Sequence, residues 1–556
     1  MGLKFEYILQ PFKGSINRTL FGLSRSYHQT INLNKVIRNT SIYGYFCKIR
    51  PLKMANSLSN SKELYAYQKK DLLRIFDALD SVDEGTNLLY QLPTGGGKTV
   101  VFSEIAKRFI QERNKKVVVL THRIELSAQT SKMLNDFGVT NKVINSSVKE
   151  IERNDPHMCY VAMVETLNNR LNDEKIILEN IGLVIIDEAH YNSFRKLFKY
   201  FEKPYLLGVT ATPLSSNIKL PMKDFYKKLI VGESIQSLID KGFLAKAVVH
   251  RYDLSLQGLK LGINGDYTVK SSDAFYANYG MLGKLLTAYN ENAKGSKTLI
   301  FNNGINASVA VYETFKRVGL PVRHLDNKHS SKERQEILSW FKKTPDAILT
   351  SVSILTTGFD EPSVETVILN RATRSLTLYF QMIGRGSRVL KNKDTFSIID
   401  LGNNTLRFGP WSDPIDWNDI FHFPDFYLES IKSDEEIERN FEYEIPAEVK
   451  AKFSKSSSVT FDVKERYKEL FARGERPKKV LEESIEQHAQ MCIENSGTIT
   501  EARQLMILLD EDIKNRVKQY TYCIMNTTKN YREWLEEDYV RKLRTKLVQS
   551  YARIVS

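Results

Sequence analysis

Leu92-Pro93-Thr94-Gly95-Gly96-Gly97-Lys98-Thr99 is built to hold the phosphates of a nucleotide. The apolar, strand-like run Thr86-Asn87-Leu88-Leu89-Tyr90-Gln91 leads into it, and a helix-like segment from Val100 to Ile110 leaves it. Three consecutive glycines let backbone N–H groups turn inward and face an anion, a conformation that a Cβ obstructs. The helix that follows adds the positive end of its dipole, Lys98 adds a point charge, and Thr99 can offer a hydroxyl to Mg²⁺. The general phosphate-loop pattern begins with Gly, where this chain has Leu92. Strand before and helix after argue against a chance glycine turn ahead of Lys98, so a nucleotide site is expected here.

With 556 residues the chain is expected to form several domains, because single cores stop growing well below that length. Composition is ordinary for a globular protein, with 42% hydrophobic and 26% charged residues. No apolar run approaches the ~20 residues of a membrane-spanning helix, so no membrane partner is expected. Cys47, Cys159, Cys492 and Cys523 lie far apart with no CxxC, which excludes a zinc module or disulfide scaffold and fits a reducing compartment. Residues 1–53 hold nine Lys/Arg and one acid, so they supply +8 of the net +14. Bulk basicity is therefore weak evidence for nucleic acid, and any binding surface has to come from local motifs. That first segment is acid-poor and lacks periodicity. It reads as an organelle transit peptide or as an upstream stretch outside the functional protein, with Met54 as the natural start. A cytoplasmic location is expected, or a mitochondrial one if the segment is a transit peptide.

From Leu64 to about Lys246, short β-branched runs alternate with longer amphipathic segments. Val117–Leu120, Cys159–Met163, Leu183–Ile186 and Tyr205–Val209 are apolar enough to be strands buried on both faces, hence a parallel sheet covered by helices. A second alternation runs from Ala247 to about Asn404, with strands at Thr298–Phe301, Ala347–Thr350, Thr366–Leu369 and Phe396–Ile399. Only the first unit carries a phosphate loop, so a nucleotide held between two α/β domains is expected. Residues 54–246, 247–405 and 406–556 are the domains this predicts. In the last, 411–445 is acidic and aromatic, with Trp411, Trp417, Phe421, Phe423, Phe426 and Tyr427 between prolines, and is expected to pack against its neighbours rather than stack on bases. Helices are predicted at Ser484–Asn495, Glu501–Tyr520 and Asn530–Ile554. The basic run Tyr539–Lys546 either touches phosphates or forms a solvated helix face.

Val184-Ile185-Ile186-Asp187-Glu188-Ala189-His190 places two carboxylates directly after a buried strand, 89 residues beyond Lys98. Asp187 can hold Mg²⁺, and Glu188 can orient and deprotonate an attacking water. With Pro-Thr-Gly-x-Gly-Lys-Thr present in full, the chain resembles the superfamily 2 helicases of the DEAH-box kind. Within them it resembles the branch holding the ATPase subunits of type I and III restriction enzymes and the excision-repair helicases. The resemblance covers about 64–405 and implies two tandem RecA-like domains followed by a mostly helical C-terminal region. It implies an ATP hydrolase acting with ATP and Mg²⁺ on nucleic acid, DNA favoured over RNA.

The resemblance also implies roles for particular residues. Thr94, Gly95, Gly96, Gly97, Lys98 and Thr99 would hold the phosphates, and Gln68, in Leu64-Tyr65-Ala66-Tyr67-Gln68, would read adenine; Tyr65 and Ala66 replace the usual Arg and Pro. His122 and Arg123, in Thr121-His122-Arg123-Ile124-Glu125-Leu126, and Thr166, in Val164-Glu165-Thr166-Leu167, would touch the nucleic-acid backbone. Thr210 and Thr212, in Gly208-Val209-Thr210-Ala211-Thr212-Pro213, would couple hydrolysis to movement, together with His190 and Gln381. Gly358 and Asp360, in Leu355-Thr356-Thr357-Gly358-Phe359-Asp360-Glu361-Pro362, would sense the nucleotide from across the cleft. Arg385 and Arg388, in Gln381-Met382-Ile383-Gly384-Arg385-Gly386-Ser387-Arg388, match the arginine-finger motif. A guanidinium brought in by domain closure stabilises charge on the transferring phosphoryl group, and at i and i+3 of a helix both arginines would face one cleft.

Two other functions are compatible with the same motifs. The motor of a restriction complex would translocate without unwinding; Pro424-Asp425 with Glu429 and Lys432 is too closely spaced for a nuclease centre. A scaffold without activity is disfavoured by the presence together of Lys98, Asp187, Glu188, Arg385 and Arg388.

Overall fold

The structure is a computed structural model and describes residues 63–555 except 84, 153–154, 353–354, 356–357, 442 and 525–528. The basic segment 1–53 and the hydroxyls of Thr356 and Thr357 lie outside the described residues. Two all-parallel sheets carry the fold. The first comprises β1 (Asn87–Gln91), β2 (Lys116–Thr121), β3 (Asn141–Ile144), β4 (Cys159–Met163), β5 (Ile181–Asp187), β6 (Tyr205–Thr210) and β7 (Lys228–Val231), in the order β3-β4-β2-β5-β6-β1-β7. The second comprises β8 (Lys246–Arg251), β9 (Thr298–Asn302), β10 (Val322–Leu325), β11 (Ile348–Ser351), β12 (Thr366–Asn370) and β13 (Thr395–Asp400), in the order β10-β11-β9-β12-β13-β8. Two tandem RecA-like sheets with a helical region after them is the expected architecture.

Central strands are buried on both faces, as every residue of β5, β6, β9 and β12 is. The four strands that the sequence does not signal, β3, β7, β8 and β10, are the four sheet edges. An edge strand has one open flank and needs less apolar sequence, so its apolar runs are short, such as Leu229-Ile230-Val231 in β7 and Ala247-Val248-Val249 in β8. Val248 and Val249 are exposed, at 45% and 37%.

Beyond the second sheet, Trp411 packs edge-on against Phe396 and Trp417 against Phe380, both of the second domain. Phe421, one turn after Trp417, is buried in the core of the first, and Lys223 donates to the His422 carbonyl at 2.8 Å. The short helix Trp417–His422 thus spans both domains. Phe423 and Phe426 depart from the packing expectation, at 56% and 75% exposed.

The tail forms helices Lys479–Glu494, Ile499–Leu508, Asp510–Cys523 and Lys529–Val555. The single helix expected over Glu501–Tyr520 is two, broken at fully buried Leu509. Asp510, Glu511 and Asp512 fill the first turn of the second piece, where carboxylates favour a helix start.

Candidate functional site

At the carboxyl end of β1 the chain turns over the Gly96 N–H to Pro93 carbonyl bond and enters helix Lys98–Arg113 through Gly97. Gly95 and Gly97 have φ of +95° and +85°, a region open to glycine. Their missing Cβ atoms are also needed for close approach. One on Gly95 would stand 2.6 Å from Leu244 Cδ2 and 2.9 Å from Arg388 Nη1; one on Gly97 would stand 2.6 Å from Gln68 Nε2. Gln68 donates to the Gly96 carbonyl at 3.2 Å and accepts from the Tyr65 N–H at 3.0 Å, and Tyr67 Oη donates to the same carbonyl at 2.8 Å. The Gln68 amide is therefore engaged with the loop itself.

Asp187 ends β5, and Glu188 turns away from it at φ +52°, its N–H bonded to Asp187 Oδ1 at 3.0 Å. Burial and the neighbouring Glu188 push the Asp187 carboxyl up. Burial acts the same way on Glu188, but its charged neighbours, Lys98 first, outweigh it and hold that carboxyl down, ionised. Burial lowers the Lys98 ammonium against the pull of Glu188 and Asp187. Glu188 Oε2 is buried and accepts no hydrogen bond, because His190 Nδ1, 3.3 Å away, is engaged with Thr210 Oγ1 at 3.1 Å. An orphaned carboxylate oxygen, a second acid and an ammonium at a glycine-lined anion cradle form a donor set that fits a nucleoside triphosphate with its divalent cation.

A cavity of about 400 Å³ joins these groups to the second domain. Thr94, Lys98, Thr99, Asp187 and Glu188 line one wall, and Gly358, Asp360, Arg385 and Arg388 the other. The two arginines are not on a helix, contrary to expectation. Helix Leu376–Ile383 ends at Gly384; Arg385 lies in the turn that follows, and Arg388 pairs with Leu244 in an antiparallel bridge. That bridge aims Arg388 at Gly95, so both guanidinium groups still reach the cavity. Arg385 donates to the Phe359 carbonyl and Arg388 to Asp360 Oδ1 at 3.0 Å. Burial and then Arg388 lower Arg385 to about 10, which leaves it cationic at neutral pH.

The domains touch at further points that local sequence does not signal. Thr212 Oγ1 lies 2.8 Å from Thr377 Oγ1, and Thr212 N–H bonds Thr210 Oγ1 at 3.2 Å. Glu125 pairs with Arg334 at 2.5 Å, and Gln129 donates to the Gly358 carbonyl at 2.6 Å. Gln381 is buried on the helix leading to Arg385. Arg123 and Thr166 follow the adjacent strands β2 and β4, so the fold brings them to one edge. His122 differs from a charged backbone contact: burial and His190 lower it to about 4, and its neutral ring packs 4.9 Å from Tyr191.

Two families match the chain: "Type III restriction enzyme, res subunit" over residues 61–215 and "Helicase conserved C-terminal domain" over 278–389. A "51.5 kDa protein" of a Lactococcus phage (isolate 7-9) is 30% identical over 338 residues, 60% of this chain and 69% of that protein. A Saccharomyces cerevisiae protein provisionally named ATP-dependent helicase IRC3 is 29% identical over 388 residues, 65% of this chain. The chain spans 54% of that yeast protein's length. Among solved structures, a fragment provisionally assigned as the HsdR subunit of a type I restriction enzyme from Vibrio vulnificus superposes with a TM-score of 0.51 at 23% identity. The match covers 64% of this chain and 69% of that one and shows the shared fold.

Proposed function

Because the chain belongs to the superfamily 2 helicases, ATP hydrolases related to the restriction ATPases, we propose that hydrolysis at its interdomain cavity moves it along a nucleic-acid strand, DNA in preference to RNA. The observation that carries this reading is the sharing of one cavity by Lys98 and Glu188 of the first domain and Arg385 and Arg388 of the second. Charge that builds on a transferring phosphoryl group is then stabilised only when both domains are in place, which ties hydrolysis to domain position.

Thr99 and Asp187 would hold Mg²⁺, which supplies neutralisation of phosphate charge when bound. Lys98 binds the phosphates from the loop side. Glu188 Oε2, lacking a hydrogen bond, orients the attacking water and takes its proton. Arg385 and Arg388 meet the charge from the facing wall. Gly358 and Asp360 carry the nucleotide state into the second domain through the Gln129 and Arg388 contacts. Arg123 and Thr166 grip the strand backbone, a sequence-independent contact that weakens as salt rises.

Among the described residues no helix is long and apolar enough to cross a membrane. The proposed place of action is the cytoplasm, or mitochondria if residues 1–53 serve as a transit peptide. Translocation without unwinding, inside a restriction or repair complex, is the second reading; the match to the restriction-subunit family over residues 61–215 favours it. ATPase rates with single-stranded, duplex and branched DNA and with RNA test the proposal. Stimulation by a nucleic acid, strongest with DNA, is expected; equal rates with and without every polymer would overturn it.

A further inference from the structure

After β8 the chain leaves the second sheet and doubles back as a small hairpin. Leu261 and Tyr267 pair antiparallel, the Thr268 N–H bonds the Lys260 carbonyl and the Gly262 N–H the Asp266 carbonyl, both at 2.8 Å. Gly265, at φ +80°, closes the turn with an N–H to the Gly262 carbonyl at 3.0 Å. The tip Gly262-Ile263-Asn264-Gly265 holds Ile263 fully exposed, with Leu261 beside it at 55%.

The base is fixed as firmly as the tip is bare. Asp266 accepts from Thr373 Oγ1 at 2.7 Å and the Arg374 N–H at 2.8 Å. Tyr267 is buried, its hydroxyl bonded to Asp434 at 2.5 Å and receiving Arg407 at 3.0 Å, while Asn303 Nδ2 donates to its carbonyl at 3.2 Å. Among the described residues Ile263 takes no part in a core, and Leu261 beside it makes the tip a small exposed apolar point on a fixed base.

Its placement is informative. Asn303 directly follows β9, and Thr373 comes soon after β12, so the hairpin stands on the carboxyl edge of the second sheet. The nucleotide cavity is served from the other edge, where Leu244 precedes β8 and Gly386 lies against Val367 of β12 and Phe396 of β13. The carboxyl edge also meets the first domain. Arg334 lies in the helix that begins a few residues beyond the end of β10, and its partner Glu125 is two residues from Arg123. The proposed backbone grip of Arg123 and Thr166 therefore continues, across Glu125–Arg334, onto the edge that carries the hairpin. From β10 to β9 is two strand spacings of about 4.8 Å.

We propose that hairpin 260–268 is a strand-separating wedge, with Ile263 as the side chain that meets the last base pair of a duplex. An apolar side chain on a rigid support can insert at a base step and unstack it, while Lys260 and Lys270, close in the chain, and Arg374, held beside the hairpin by its N–H to Asp266, offer charges to phosphates. The proposal rests on the reading of this chain as a nucleic-acid motor and assigns it unwinding rather than translocation alone. The clamp from Asp266 to Thr373 and Arg374 places the wedge two residues ahead of the helix that leads to Arg385, so it moves with the domain that carries the arginines.

The test compares the full chain with Ile263→Asp and Ile263→Leu. ATPase stimulated by single-stranded DNA is measured beside displacement of one strand from a forked DNA duplex. Ile263→Asp is expected to keep its stimulated ATPase within about twofold and to lose about tenfold or more in strand displacement, a barrier change near 1.4 kcal/mol. Ile263→Leu should displace strands as the unaltered chain does. Fork displacement by Ile263→Asp within twofold of the unaltered chain overturns the wedge while leaving the motor intact. So does an unaltered chain that DNA stimulates but that separates no fork. An unaltered chain whose ATPase answers to no nucleic acid overturns the motor reading itself, and the wedge with it.

Discussion

Thr212 Oγ1 and Thr377 Oγ1 form a 2.8 Å hydrogen bond between the two domains. Thr212 is tied through Thr210 to His190, which stands 3.3 Å from Glu188, and Thr377 lies in the first turn of the helix that leads to Arg385. One line of contacts therefore joins the carboxylate proposed to activate water to the arginine proposed to stabilise charge. Thr377→Val keeps the shape and removes the bond. With one hydrogen bond worth about 1 kcal/mol, nucleic-acid-stimulated ATPase should fall about fivefold. A Thr212→Val, Thr377→Val double variant should be no worse than either single one; additive losses in that cycle would show that the two hydroxyls act separately.

Glu188→Gln removes the proton acceptor and keeps the volume. ATP and nucleic-acid binding should persist while turnover drops by about 10²–10⁴-fold, the usual contribution of a general base. Binding by fluorescent nucleotide alongside steady-state hydrolysis checks this, and near-normal hydrolysis would remove Glu188 from the role.

Arg385→Ala should lower kcat by about 10³-fold with little change in KM for ATP, since the proposed contact matters most in the transition state. Arg385→Lys should not restore the rate. The guanidinium gives one N–H to the Phe359 carbonyl and is a planar fork of donors, a geometry that an ammonium reproduces poorly. Full activity of the lysine variant would argue that only charge is needed.

The helical tail should weaken in acid. His488 is fully buried; burial and then Arg516 lower it to about 4, despite a 2.7 Å bond from its Nε2 to Asp512. Arg516 donates to Ser484, Ser484 shares a bond with Tyr539, and Tyr539 Oη lies 2.9 Å from His488 Nδ1. That chain is satisfied when Nδ1 accepts, hence by neutral His488. The folded value lies below the unfolded 6.5, so the unfolded state binds the proton first. Stability is full above pH 6.5 and declines toward pH 4, by up to about 3 kcal/mol from this group. Thermal melting from pH 7.5 to 4.5 should show the decline, and His488→Gln, though lower-melting at pH 7.5, should show a shallower one. An unchanged slope would assign the acid sensitivity to other groups.

The sequence by itself determined the interior of the fold. Gly95 and Gly97 declare the nucleotide loop because φ near +90° admits glycine, and the nine strands legible as apolar runs are the inner ones, buried on both faces. Asp187 and Glu188 were legible for the same local reason, since two acids at the end of a buried strand have no packing use. Only the tertiary structure decided what stands at edges and between domains. β3, β7, β8 and β10 each have one open flank, and their apolar runs are at most three residues long. The arginines came within reach through the Leu244–Arg388 bridge and not through a helical face, and Glu125 met Arg334 across 209 residues of chain. Ile263 is the plainest case: in sequence it is one more apolar residue between glycines, and only the clamp of Asp266 on Thr373 and Arg374 turns it toward solvent as a supported point. Periodicity and backbone sterics are written locally, whereas a contact between distant segments depends on where the whole chain has carried them.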